Sequence, residues 1–161
     1  MSISTPTRAV PRAVVTHCHS DHARSGHGAV LATQETLRIM ACRYGEDSVS
    51  GAQAARYGET IICGDVRVTL YPADHILGSA QIHLVHGGAC AVISGDYKRR
   101  GDPTCATFEP VRCDFFVTEA TFGLPVFRHP PTSGEIAKLL RSLVIFPDRG
   151  HLIGVYALGK C

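Results

Sequence analysis

The sequence predicts an α/β domain, and three observations carry that reading. Runs with period-two apolar alternation stand beside runs with helical spacing. A Gly-Gly pair separates two strand-like segments. Hydrophobic residues make up 45% of 161 residues and charged residues only 19%, enough for a real core and too apolar for disorder.

Taken in order, Arg12 to Thr16 (RAVVT) reads as a short buried strand that runs into a cluster of histidines. About ten residues precede it, with no apolar segment of the signal-peptide kind. Thr33 to Tyr44 reads as a helix with Thr33 as its cap and Leu37, Met40 and Ala41 on one face. Val66, Val68 and Leu70 alternate with polar residues, as a half-buried strand does. Gln81 to Val85 and Ala89 to Ser94 are two further strands, and Gly87-Gly88 suits the tight turn between them. Asp114 to Thr118 (DFFVT) is another strand. A second helix follows: Thr132 and Glu135 fit a capping box, and Ile136, Leu139, Leu140, Leu143 and Val144 keep helical spacing. His151 to Leu158 (HLIGVYAL) reads as a buried strand.

Bulk properties exclude several classes. No run reaches the roughly 18 apolar residues of a membrane span. The seven cysteines (18, 42, 63, 90, 105, 113 and 161) are odd in number and form no C-x-x-C pair, which argues for reduced thiols and against a disulfide framework or thiolate zinc knuckle. A soluble, cytoplasmic protein is therefore expected. Net charge is +2 with nine histidines uncounted, which permits a polyanionic partner without arguing for one.

The chemistry concentrates in His17-Cys18-His19-Ser20-Asp21-His22, at the end of the first strand. Side chains two apart on extended backbone point the same way, so His17 and His19 are able to share one metal ion. A turn after His19 brings Asp21 and His22 toward a second position. Imidazole and carboxylate suit a borderline cation such as zinc. A tag remnant would be an uninterrupted histidine run, and a solvated loop rarely holds three histidines and an aspartate in six positions. Downstream, His75 follows the Val66 to Tyr71 strand and Asp96 follows the Ala89 to Ser94 strand. Alone, His75 reads as a hydrogen-bonded loop histidine and Asp96 as a turn residue beside glycine. With the first cluster present, both become ligand candidates.

This set, H-x-H-x-D-H followed by a loop histidine and a strand-end aspartate, resembles the metallo-β-lactamase superfamily. The resemblance implies an αββα sandwich with two divalent metal ions, zinc being the expected identity of both. It gives one metal to His17, His19 and His75, and a second to Asp21 and His22, with Asp96 bridging. The family's last histidine ligand has no counterpart, and His151 is left unassigned because it begins a strand rather than following one.

Asp74 to Gln81 (DHILGSAQ), Ser94 to Arg99 (SGDYKR) and Thr118 to Gly123 (TEATFG) resemble loops of the β-CASP nucleases, and Val155 to Lys160 (VYALGK) resembles the opening of their inserted cassette. Bacterial ligase-associated DNA exonucleases, also called mRNA 3′-end processing factor-like proteins, are the nearest branch. The likeness covers residues 12 to 161. It departs at Asp74, where the family usually has glycine. It implies a partial metallo-β-lactamase domain over 1–130 and the beginning of a cassette over 131–161. On that reading the fold is incomplete, so weak binding at the second metal position and little nuclease activity are expected of this chain.

The implied function is nuclease chemistry, a DNA exonuclease of repair and ligation. Asp21 and Glu119 are the catalytic candidates: Asp21 as a ligand that also orients water, Glu119 as a carboxylate positioning a cassette histidine. Arg24, Lys98 and Arg99 are candidate phosphate contacts, together with Arg100. The expected partner is nucleic acid, DNA over RNA, with a DNA ligase and a helicase of the same pathway and no membrane. Two rivals stand beside this reading: a hydrolase of a small ester, thioester or lactam on the same ligands, and a non-catalytic metal-binding fragment.

Overall fold

The computed structural model describes residues 2–3, 8–155 and 158–159. The chain divides into two compact units, Met1–Glu119 and Ala120–Cys161.

The first unit holds two sheets. One is parallel, in the order β1 (Ser2–Ile3), β2 (Arg12–Val14), β3 (Ala29–Ala32) and β4 (Gly51–Ala54). The other runs β5 (Thr60–Cys63), β6 (Val66–Pro72), β7 (Ala80–His86), β8 (Ala89–Ile93) and β9 (Phe115–Val117). It is antiparallel as far as β8, and β9 then lies parallel to β8. The alternation read from Val66, Val68 and Leu70 sets the register: Val68 lies opposite Leu84 and Leu70 opposite Ile82. Val14 and Leu31 of the first sheet join Val68, Leu70, Ala80 and Ile82 of the second in one buried cluster, so the sheets pack face to face. Gly87 and Gly88 make the β7–β8 turn with φ of 58° and 85°, the positive pair such a two-residue hairpin needs.

α1 (Gln34–Tyr44) begins where expected. Thr33 is extended and its hydroxyl accepts from the Thr36 amide at 3.3 Å. Met40 is buried, and Leu37 and Ala41 are half-buried against β4, whose Ala52 and Ala54 line the same groove. β1 precedes the first expected strand. β3, β4 and β5 were not foreseen. Ala-Val-Leu-Ala and Gly-Ala-Gln-Ala carry weak strand propensity, and their parallel pairing imposes the strand instead.

In the second unit, α2 (Thr132–Ile145) appears without the capping box. Pro131 occupies the cap, so Thr132 is already helical, and Glu135 turns to the Lys138 ammonium at 2.7 Å. A buried strand over His151 to Leu158 is a second correction. Residues 151–155 are irregular, Leu152 and Ile153 are exposed, and His151 bonds Ser142 at 2.9 Å. A buried strand needs a ladder for its backbone groups, and residues 151–155 join no strand among the described residues. Tyr156, Ala157 and Lys160 of the cassette-like run lie outside the described residues. No helix among the described residues is long and apolar enough to cross a membrane.

Buried His27 gives the fold a pH dependence. Its Nδ1 accepts from the Val10 amide at 3.3 Å, its Nε2 is buried with no partner among the described residues, and burial lowers its pKa. The unfolded chain therefore takes up a proton first as pH falls below about 6.5. Stability contributed above that pH is lost progressively below it. Denaturant midpoints measured between pH 7 and 5 should fall, and should fall less in His27→Gln. An equal slope in both proteins would remove His27 as the cause.

Candidate metal centre

Because β5 to β8 alternate in direction and β9 runs with β8, the C-terminal ends of β6, β8 and β9 open on one edge of their sheet. The Thr16 carbonyl accepts from the Ala80 amide at 2.8 Å, which brings the segment after β2 to that edge. His17 to His22, His75, Asp96 and Glu119 all follow these strand ends. Residues as far apart in sequence as His17 and Glu119 thus meet at one rim.

The structure brings the imidazoles together. His17 Nε2 lies 3.1 Å from His19 Nδ1, and His75 Nε2 lies 3.0 Å from the same atom. Asp96 Oδ2 stands 3.8 Å from His17 Nε2 and 3.4 Å from His75 Nε2. All four residues offer ligand atoms within 4.8 Å of one another. Donors bound about 2.0–2.1 Å from a tetrahedral zinc stand roughly 3.3 Å apart, so this spacing fits an ion at the centre. Three ring nitrogens converging on one point cannot satisfy one another by hydrogen bonds alone, whereas a cation satisfies all three lone pairs.

Asp96 faces two ways. Its Oδ1 is 3.3 Å from His22 Nε2, and His22 Nε2 is 3.7 Å from Asp21 Oδ2. Its two oxygens thus address two groups of donors, the geometry a bridging carboxylate needs. Asp21 is exposed at the rim, and the half-buried Glu119 is near enough for its charge to be felt at His22.

The electrostatics are those of a cation site. Burial, then the neighbouring His22 and His75 rings, holds the His17 pKa well below the ordinary imidazole value, so His17 keeps a free lone pair. The hydrogen bond from His22 holds the Asp96 carboxyl below the usual carboxylate range. At His22 burial works against the charged form. The bond to Asp96 and the charges of Asp96, Asp21 and Glu119 outweigh it, and the pKa rises.

Several supporting residues were not singled out from sequence. The Thr16 hydroxyl meets His17 Nδ1 at 3.1 Å, which turns Nε2 toward the other ligands. The Ser79 hydroxyl accepts from the His75 and Ile76 amides at 3.0 and 3.2 Å. Thr33 and Thr36 both donate to the Gly78 carbonyl, at 2.7 and 3.0 Å, so the start of α1 holds the His75 loop. The available signal was a hydroxyl beside each histidine motif.

The basic candidates divide. Lys98 pairs with Asp102, its charge engaged inside its own loop. Arg24, Arg99 and Arg100 are exposed.

No family model matches the chain. It is 32% identical over 154 residues to a probable DNA ligase of Opitutus terrae, covering 92% of this chain and 15% of that protein. It is 32% identical over 113 residues to the endoribonuclease YSH1 of Gibberella zeae, covering 67% and 13%. A UPF0173 metal-dependent hydrolase of Halorubrum lacusprofundi is 33% identical over 102 residues, covering 59% and 41%. A solved structure from Enterococcus faecalis, a protein of unknown function, superposes with a TM-score of 0.60 at 14% identity, over 83% of this chain and 39% of that one. The chain spans less than half the length of each.

Proposed function

We propose, from the premise that this chain is a relative of the β-CASP nucleases of the metallo-β-lactamase superfamily, that it carries the ligand set of a dinuclear zinc site for cutting a nucleic-acid phosphodiester. The observation that carries the proposal is the convergence of His17, His19, His75 and Asp96, with the second Asp96 oxygen on His22.

In this reading His17, His19 and His75 would hold one ion and Asp21 and His22 a second, with Asp96 offering an oxygen to each group. Bound divalent cations supply Lewis acidity, bringing the pKa of water toward about 7 and neutralising charge on the phosphate. Asp21 Oδ2, exposed beside His22, orients the attacking water and accepts its proton. Glu119 is the second catalytic carboxylate, orienting the group that protonates the leaving oxygen. Arg24 and Arg99 meet phosphate oxygens. Lys98, which also pairs with Asp102 in its own loop, is proposed as a third phosphate contact.

DNA is proposed over RNA on the higher identity to the probable DNA ligase, 32% over 154 residues, against 27% over 165 residues for an endoribonuclease YSH1 of Eremothecium gossypii. We further propose a cytoplasmic exonuclease with a DNA ligase and a helicase as pathway partners, the likeness to a probable DNA ligase bearing on the ligase alone. Residues 1–130 are proposed as part of the metal-binding domain and 131–161 as the start of a cassette.

The test is incubation of the chain with end-labelled single- and double-stranded DNA and RNA, before and after zinc is removed by chelation. Zinc-restored cutting of DNA beyond that of RNA is the expected result. Faster cutting of RNA would overturn the substrate choice. Cutting indifferent to metal would overturn the mechanism.

A further inference from the structure

Asp74 is the residue whose placement most needs a reason. It is fully buried, and it is the one non-glycine residue with positive φ among those described, at 54°. Glycine takes that conformation without strain, whereas an L side chain is strained by it, aspartate less than most. One of its carboxyl oxygens, Oδ2, is buried with no partner among the described residues. Burial of a carboxylate with an unmet oxygen opposes folding as well. A residue under both strains is held by what its other oxygen does.

That oxygen, Oδ1, accepts from the Asp102 amide at 3.2 Å and from the Cys105 thiol at 3.4 Å. Burial, then the bond to Asp74, raises the Cys105 pKa to about 11, so the sulfur keeps the proton it donates. Asp102 is in turn tied to Lys98, and its Oδ1 accepts from the Thr104 amide and hydroxyl at 3.0 and 2.6 Å. The Lys98 amide donates to the Ala73 carbonyl at 3.1 Å. The loop that leaves Asp96 therefore returns three times, at Lys98, Asp102 and Cys105, to the dipeptide immediately before His75.

We infer that Asp74 is a positioning residue, a staple between the loop bearing His75 and the loop bearing Asp96 that sets the separation of those two ligands. The separation it sets is 3.4 Å between His75 Nε2 and Asp96 Oδ2. The inference rests on the metal reading above. It places Asp74 behind the ligands, touching neither cation nor substrate. Partners of this kind govern affinity through the orientation of the ligands they hold.

The test compares the unsubstituted chain with Asp74→Gly, which accepts the backbone angle but removes the staple, and Asp74→Asn, which keeps an oxygen at Oδ1. Two readouts are taken: hydrogen exchange at the Asp102 amide in the metal-free chain, and titration with Co²⁺ followed by its visible absorption spectrum. Asp74→Gly should speed the exchange, weaken Co²⁺ binding by about ten- to a hundredfold and alter the spectrum. Asp74→Asn should stay near the unsubstituted chain in all three. Should Asp74→Gly fail to fold by circular dichroism, Cys105→Ala, which removes one donor, should give smaller shifts of the same sign. Wild-type exchange and affinity in Asp74→Gly overturn the inference, as does an Asp74→Asn protein as impaired as the glycine variant. An unsubstituted chain that binds no Co²⁺, while Asp102 exchange still depends on Asp74, overturns the metal reading and the positioning role together, leaving only a structural staple.

Discussion

His19→Ala is expected to weaken zinc binding by on the order of a hundredfold and to abolish any metal-dependent hydrolysis. His19 Nδ1 is the shared neighbour of the other two rings, 3.1 Å from His17 Nε2 and 3.0 Å from His75 Nε2. Its loss opens the first position on one side and leaves two histidines and a carboxylate. Four-ligand zinc sites bind with about 10–16 kcal/mol, so one ligand in four contributes roughly 3 kcal/mol. His22→Ala makes the contrast. His22 meets Asp96 Oδ1 and Asp21 and stands outside the tight group of four. That variant should retain the first ion and lose the second. Competition with a chromophoric chelator and metal analysis after dialysis measure both. Equal zinc content in His19→Ala and the unsubstituted chain would sink the site, because no arrangement centred on His19 survives that result. The fold should persist in both variants, since neither side chain belongs to the buried apolar cluster.

The legible part of this molecule was the part with short-range grammar. Period-two alternation gave β6, the Gly-Gly pair gave the β7–β8 turn, and Thr33 gave the start of α1. The six residues from His17 to His22 announced metal chemistry because their spacing alone brings donors to one side. His75 and Asp96 were readable only in company with that hexapeptide. The structure brings them to it through strand direction and the Thr16–Ala80 bond, which no local pattern encodes. What escaped detection was non-local by nature. β4 is a strand because β3 lies beside it, and Gly-Ala-Gln-Ala gives no sign of that. The apolar run from His151 misled in the opposite sense, since apolarity fits a buried strand but residues 151–155 are irregular, with Leu152 and Ile153 exposed. The ion pair of Lys98 with Asp102 was not legible, because Asp102 sits four residues on in a loop whose return no local pattern encodes. Asp74 stood out only as a departure from the usual glycine, and the long-range bonds to Asp102 and Cys105 give it work to do.

Gly95→Ala should be a strongly damaging small substitution in the first unit, and it should strike fold and site together. Gly95 has φ of 56°, and a Cβ placed there would lie 2.8 Å from Thr16 Cβ and 2.9 Å from both Thr16 Cγ2 and Oγ1. The left-handed conformation costs alanine roughly 1–2 kcal/mol. The overlap adds about 1–3 kcal/mol, because Thr16 is itself buried and has little room to yield. A total of about 2–5 kcal/mol is a large share of the roughly 5–15 kcal/mol that holds a typical domain folded. The displaced atom carries the second consequence, since Thr16 Oγ1 is the group bonded to His17 Nδ1. Gly95 is also the residue before Asp96, so two ligands move when this one contact is crowded. Gly64→Ala separates the causes. Gly64 has φ of 68°, and a methyl group there would meet nothing within 4 Å, so alanine at that position feels only the backbone strain. Urea midpoints should drop in both variants and further in Gly95→Ala, whereas zinc affinity should drop in Gly95→Ala alone. Equal destabilisation in the two, with zinc affinity intact in both, would mean that the Thr16 contact yields freely and that the ring of His17 is held by something else.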